Sequence, residues 1–138
     1  MNFNNYTTKS QETIKMAQEI AQGFEHNQIE NEHIFKALTR VDENVLPFLL
    51  KKLNINLNIV LQVLEKQLDR FPKVSGAELM ISREANKTLT ESAVIARKMK
   101  DDYVSVEHLI SIGETREMDK YEIIDYLDFL RIKRLEKK

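Results

Sequence analysis

The chain has 138 residues, with 21 Lys and Arg against 22 Asp and Glu, a net charge of −1 and no cysteine. That length suits one domain with a real core, the charge balance gives no global drive toward nucleic acid or an anionic membrane, and the missing thiols exclude disulfides and thiolate metal sites. No apolar run approaches the roughly 20 residues of a membrane span, and Met1-Asn2-Phe3-Asn4-Asn5 lacks the basic and apolar regions of a signal peptide, so a cytoplasmic protein is expected.

Three glycines and two prolines are too few for a sheet with tight hairpins. An all-α fold of about seven helices joined by short loops is expected. Thr7 or Thr8 opens the first helix; Thr8 competes because Thr8-Lys9-Ser10-Gln11 reads as a capping box. Ile14, Ala17, Ala21 and Phe24 then recur at helical spacing, with Ile20 beside them, and Gly23 lies near the end. A short helix covers roughly Asn31 to Arg40. Asp42-Glu43-Asn44 is the next start signal, and Pro47 requires the following helix to begin at Asn44 or Val45. Leu46, Leu49, Leu50 and Leu53 are its buried stripe. Asn54-Ile55-Asn56 breaks it, and Leu57, Leu61, Leu64, Leu68 and Phe71 mark a fourth helix.

The segment from Phe71 to Gly76 has no helical periodicity. Ser82 opens a long helix with Ala85, Leu89, Ala93, Ala96 and Met99 inward, ended by Asp101-Asp102. Ser105 caps a short helix stopped by Gly113, and a last helix runs from about Met118 to the C-terminus. That last helix carries Tyr121, Ile123, Ile124, Tyr126, Leu127, Phe129, Leu130 and Ile132 on more than one face. Such a helix is buried on both sides or meets a partner, so packing into a vacant place and weak self-association are both expected. The basic tail from Arg131 to Lys138 reads as a solvated helix C-terminus.

An internal repeat links these elements. Ile29-Glu30-Asn31-Glu32-His33-Ile34 returns as Val104-Ser105-Val106-Glu107-His108-Leu109, a step of 75 residues from Glu32 to Glu107. The same step carries Thr7 to Ser82, Thr13 to Thr88, Ile20 to Ile95 and Ala21 to Ala96. An internal repeat constrains architecture more than any local signal. Two pseudo-symmetric helical repeats packed as one domain are expected over residues 1–138: repeat one at 1–70, a linker at 71–80, and a shortened repeat two at 81–138.

The three glycines are too far apart for a phosphate-binding Gly-x-x-x-x-Gly-Lys loop, which excludes P-loop ATP chemistry. No nucleophile–base spacing or cofactor loop is present, so no enzyme activity and no cofactor are expected. His33 and His108 occupy equivalent places, but neither has the second ligand on its helix face that a metal site wants. Both are expected to be partly buried and hydrogen-bonded, with no metal; His26 carries no signal. Glu32 and Glu107 each lie in a first helical turn, where a carboxylate stabilises the helix by about 0.3–1 kcal/mol. That dipole role and a binding role both stand for the pair.

Five stretches together resemble one family: Tyr-Thr-Thr-Lys-Ser-Gln-Glu from Tyr6, Val-Asp-Glu-Asn-Val-Leu-Pro-Phe-Leu-Leu-Lys-Lys-Leu from Val41, Pro-Lys-Val-Ser-Gly from Pro72, Ser-Arg-Glu-Ala-Asn-Lys from Ser82 and Tyr-Val-Ser-Val-Glu-His-Leu from Tyr103. In that order and spacing they look like the N-terminal domain of the Clp/Hsp100 chaperone ATPases, of the ClpB kind above all. The likeness covers residues 1 to about 110. After Leu109 the chain departs from the family pattern, and Asn54 stands where glycine is frequent.

The resemblance implies a non-catalytic protein-binding domain that recognises unfolded clients or adaptors, with a Clp/Hsp100 ATPase as a further partner and with neither nucleic acid nor membrane. It implies Thr7, Asp101 and Glu107 as client-contacting residues. Its ClpC branch implies a second reading, a receptor for phosphoarginine-tagged clients. There Glu32 and Glu107 would hold the guanidinium through charge-assisted hydrogen bonds, and Thr7 and Ser82 would serve the phosphoryl group from the helix starts. A free-standing regulator of a Clp ATPase is a third. An apolar surface between the copies, rimmed by polar groups, is the expected binding face.

Overall fold

The computed structural model describes residues 4–104 apart from 53, 55, 75 and 77, together with Leu109. The short helix from Ser105, the last helix from about Met118, and Glu107 and His108 lie outside the described residues. The described elements are α1 (Thr8–Gly23), β1 (Gln28–Ile29), α2 (Asn31–Val41), α3 (Val45–Lys52), α4 (Leu57–Arg70), β2 (Met80–Ile81) and α5 (Arg83–Lys98). The fold is mostly helical. No helix among the described residues is long and apolar enough to cross a membrane.

Four of the described helices start where a short polar side chain replaces the missing intrahelical acceptor. Thr7, rather than Thr8, caps α1: its Oγ1 accepts from the Ser10 N–H at 3.2 Å. Ser82 does the same for α5, accepting from the Ala85 N–H at 3.0 Å. Asn56 Oδ1 takes the Asn58 N–H at the head of α4. The strongest start belongs to α3. Both carboxylate oxygens of Asp42, 2 % exposed, accept from the N–H groups of Asn44, Val45 and Leu46 at 3.0, 3.0 and 2.7 Å. Burying that charge is tolerable because three oriented donors face it. Pro47 sits in the first turn of α3, where its missing N–H costs nothing.

The core lies around α2, which touches α1, α3, α4 and α5. Ala17 and Ala21 of α1 and Ala37 of α2 are fully buried, and such small side chains let two helices approach closely. Leu38, Leu46, Leu50, Leu64, Leu68 and Leu89 supply the bulk, each contributing about 1.5–3 kcal/mol of transfer free energy.

The two stretches related by the 75-residue step make matching bonds. The helices α1 and α5 are both 16 residues long. Their ends fold alike: the His26 N–H reaches the Ala21 carbonyl at 2.9 Å, and the Asp101 N–H reaches Ala96 at 2.9 Å. Glu25 and Lys100 both take a left-handed φ of 59° to do it.

Two short parallel pairings tie the stretches together within this mostly helical fold. Gln28 and Ile29 pair with Met80 and Ile81, and Tyr6 bridges Val104. The first pairing joins the residues just before α5 to those just before α2, and the second joins the residue before the N-cap of α1 to the segment after α5. Two-residue strands need neither turn glycines nor alternation, so composition carries no trace of them.

Candidate functional site

The helix starts singled out from the sequence meet crosswise. The Thr7 N–H donates to the Val104 carbonyl at 2.9 Å, and the Ser82 N–H donates to the Ile29 carbonyl at 3.0 Å. Glu32 follows Ile29 in the first turn of α2 and is half-buried. Each junction therefore draws on both copies: Ser82 comes to the segment that leads into Glu32, and Thr7 comes to the segment that leads toward Glu107. Asp101, half-buried, stands just upstream of the Thr7 junction.

The junctions limit what Thr7 and Ser82 can offer. Their N–H groups are spent on the pairing, and their hydroxyl oxygens accept the cap bonds. The Thr7 hydroxyl also donates to Ser10 Oγ at 3.0 Å, and Ser82 is only 4 % exposed. Donors for an anion here are the N–H groups of the next residues in each helix, which have no intrahelical acceptor.

A groove runs between α1 and α2. Met16, Ile20, Gly23 and Phe24 line it from α1 and its C-cap, with Glu19 on that wall; Lys36 and Arg40 line it from α2, and it encloses about 380 Å³. Lys36 holds its ammonium 5.1 Å from the centre of the Phe24 ring and pairs with Glu65 of α4. A Cβ added to Gly23 meets nothing within 4 Å, so this end of the groove is open. The groove lies inside the first copy. Met16, Ile20 and Phe24 recur every fourth residue; that second apolar line on α1 was the signal available.

Beside the groove, two histidines pair. His26 Nδ1 and His33 Nε2 are 2.8 Å apart, and both rings are buried, at 7 % and 0 % exposure. His33 Nδ1 accepts from the Glu30 N–H at 2.8 Å. Phe24 stacks on His26 with ring centres 5.3 Å apart, and Phe71 meets it edge-on at 5.6 Å. Burial, with His26 and Lys36 adding repulsion, pushes the His33 pKa down to about 4. Burial and then Lys73 lower that of His26, against the Leu68 backbone, Glu30 and Asp69. His33 thus has the backbone bond expected of it, while His26 is a buried partner rather than a loop residue without a role. Among the described residues no group of three or more His, Asp or Glu could hold a metal ion.

Comparison with known proteins places this architecture. The chain is 41 % identical over 110 residues to the chaperone protein ClpB of Bacteroides thetaiotaomicron, a match covering 80 % of this chain and 13 % of that protein. It is 37 % identical over 110 residues to ClpB of Porphyromonas gingivalis, again covering 80 % and 13 %. The chain therefore spans about 13 % of the length of these curated relatives. The fold is that of the Hsp104 N-terminal domain from Candida albicans, with a TM-score of 0.73, 20 % identity, and 91 % and 81 % of the two chains covered. It matches the N-terminal domain of the ClpV1 ATPase from E. coli at a TM-score of 0.75 and 16 % identity, covering 91 % and 78 %. Residues 5–118 match the Clp repeat (R) N-terminal domain, and the chain belongs to that family of the Clp/Hsp100 chaperones.

Proposed function

We propose that the chain is a non-catalytic recognition domain that binds apolar segments of unfolded clients, or an adaptor that presents such a segment, for a Clp/Hsp100 ATPase. The observation that carries this reading is the α1–α2 groove. Its floor of Met16, Ile20 and Phe24 is apolar, and its opposite walls carry Glu19 and Arg40. An apolar side chain fits the floor, and the two charges orient the segment by its flanking residues. We further infer that residues 1–70 and 81–138 are pseudo-symmetric halves of one domain joined by 71–80; the matched caps, turns and crossed bonds support this. Weak self-association through the last helix belongs to the same proposal.

Titration of the full chain with a fluorescent, carboxymethylated and permanently unfolded α-lactalbumin tests the groove. Gly23→Leu should fill it without touching the core, and Arg40→Glu should reverse one wall. Both are expected to weaken binding by about tenfold or more, a loss of about 1.4 kcal/mol. Undiminished binding by a folded Gly23→Leu chain would overturn the groove assignment.

The crossed junctions favour a second reading, phosphoarginine recognition. Glu32 would hold the guanidinium beside the start of α5, and Glu107 would do so beside the start of α1, with Thr7 and Ser82 shaping the two places. Calorimetry with phosphoarginine tests it directly.

A further inference from the structure

We propose that the His26–His33 pair is an acid-released clasp: with both rings neutral it holds Phe24 in the groove floor and the linker after α4 against the first copy, and a captured proton opens it.

The hydrogen bonds leave no place for an extra proton. His33 Nδ1 accepts the Glu30 N–H, so its own proton sits on Nε2. That proton is donated to His26 Nδ1 at 2.8 Å, which leaves the His26 proton on Nε2. Both acceptor lone pairs are now occupied. A further proton can enter only by breaking the bond between the rings or the bond from Glu30. The His26 Nε2 itself is buried and makes no hydrogen bond of good geometry, although the Leu68 backbone lies close enough to favour a charged ring.

What the pair holds is defined by its neighbours. Phe24 stacks on His26, and Phe71 at the end of α4 packs against both imidazoles. Just beyond Phe71, the Val74 N–H donates to the Glu25 carbonyl at 2.9 Å, and the Met80 N–H donates to Asn27 at 3.0 Å. The linker is thus fastened to the turn that carries His26. The charged groups around the clasp are mixed. Lys73 and Lys36 oppose protonation of His26 and His33 respectively, while Glu30 and Asp69 favour it at His26. Burial is the largest influence on both rings, so the closed clasp stays neutral where an open histidine of pKa about 6.5 takes up a proton. The second copy does not repeat the device, because Asp101 stands in the place of His26 and makes the equivalent N–H bond to Ala96.

Opening the clasp frees Phe24, and with it the groove floor. That consequence for clients rests on the groove reading above; the clasp itself does not.

Amide exchange of the full chain, followed by NMR between about pH 7.5 and about pH 5, tests it across the ordinary histidine range. Protection of the Val74 and Met80 amides, corrected for intrinsic exchange, should fall below about pH 6.5, by up to about tenfold per pH unit for each ring. Leu89 in α5 should stay better protected than Val74 and Met80 throughout, losing only what the fall in global stability takes. Imidazole ¹⁵N shifts should show His33 protonated on Nε2 and bare on Nδ1 at neutral pH. His26→Gln keeps an acceptor for His33 but does not titrate, and should reduce the pH dependence at Val74 to at most that of one ring. Constant Val74 protection in the parent chain overturns the clasp. So does charging of either ring near its ordinary pKa with Val74 still protected, a result that needs no variant. If protection falls as expected but affinity for unfolded α-lactalbumin stays constant, the clasp stands and the groove reading is the one that fails.

Discussion

The Tyr6 hydroxyl donates to the Leu89 carbonyl at 3.1 Å, across 83 residues of chain. Tyr6 is 6 % exposed, and burial raises the pKa of its phenol. Its backbone pairs with Val104, and its carbonyl takes the Gln11 side-chain amide at 2.9 Å. One residue thereby links the entry to α1, the middle of α5 and the end of the second turn. Tyr6→Phe keeps the ring and loses one buried bond, so unfolding in urea should show a loss of about 0.5–1.5 kcal/mol. Tyr6→Ala also leaves a cavity and should cost about 3–5 kcal/mol, as large aromatic truncations do.

Asp42 should be the most sensitive acidic residue in the first copy. Its carboxylate accepts three N–H groups at the head of α3. Asp42→Ala strands those donors in a buried place and should cost about 1.5–3 kcal/mol. Asp42→Asn keeps one oxygen and should lose less. Equal stability of all three chains in urea would contradict the geometry.

Much of this local framework was readable in the residues. Thr7, Ser82 and Asp42 announce helix starts because capping is a bond between near neighbours, and side-chain type alone nearly decides it; Asn56 read as part of the break after α3 and proves to be the cap of α4. The inward faces of α1, α4 and α5 followed from periodicity for the same reason. The crossed pairings did not, since Tyr6–Val104 and Ile29–Ile81 are long-range contacts of one or two residues with no repeating pattern. Nor did the histidine pair. His26 and His33 lie seven residues apart across a turn and a strand, and only the tertiary arrangement makes them neighbours. The groove was half-legible: Ile20 and Phe24 of its apolar line on α1 stood out by their spacing, but nothing local marks Lys36 and Arg40 as its opposite wall.

The turn after each long helix carries strain at a residue with a side chain. Glu25 and Lys100 adopt φ of 59°, a region that penalises a Cβ by about 1–2 kcal/mol. Glycine relieves the clash but gives back part of the gain through unfolded-chain entropy. Lys100→Gly, exposed and remote from the groove, should raise stability by about 0.5–1 kcal/mol. Thermal unfolding at fixed pH measures it, and a lowered midpoint would count against the left-handed turn.

Global stability should fall in mild acid. The folded-state pKa of each paired histidine is lowered, that of His33 to about 4. Above about pH 6.5 both forms of the chain hold these rings neutral, and the pair adds no pH dependence. As pH falls, the unfolded chain binds protons first, so unfolding becomes easier by up to about 1.4 kcal/mol per pH unit for each ring. The loss continues until the folded rings titrate. Urea unfolding at a series of pH values should show this slope, and His33→Gln should reduce it.

Glu32 decides between a helix-start role and a ligand role. As a first-turn carboxylate of α2 it should contribute under about 1 kcal/mol to stability. As a guanidinium partner it should contribute about 1.5–3 kcal/mol to phosphoarginine binding, the range for a charge-assisted hydrogen bond. Glu32→Ala should then abolish one of two sites and leave the one at Glu107. The crossed bond from Ser82 to Ile29 adds a sharper expectation. Disturbing the head of α5 with Ser82→Val should weaken the Glu32 site, although Ser82 belongs to the other copy. Thr7→Val should spare that site, because Thr7 bonds to Val104. Calorimetry with phosphoarginine on the three variants separates the cases. If the parent chain binds none and Glu32→Ala melts early, the carboxylate is a helix-start residue and the phosphoarginine reading fails. The fold and the groove would be untouched by that result.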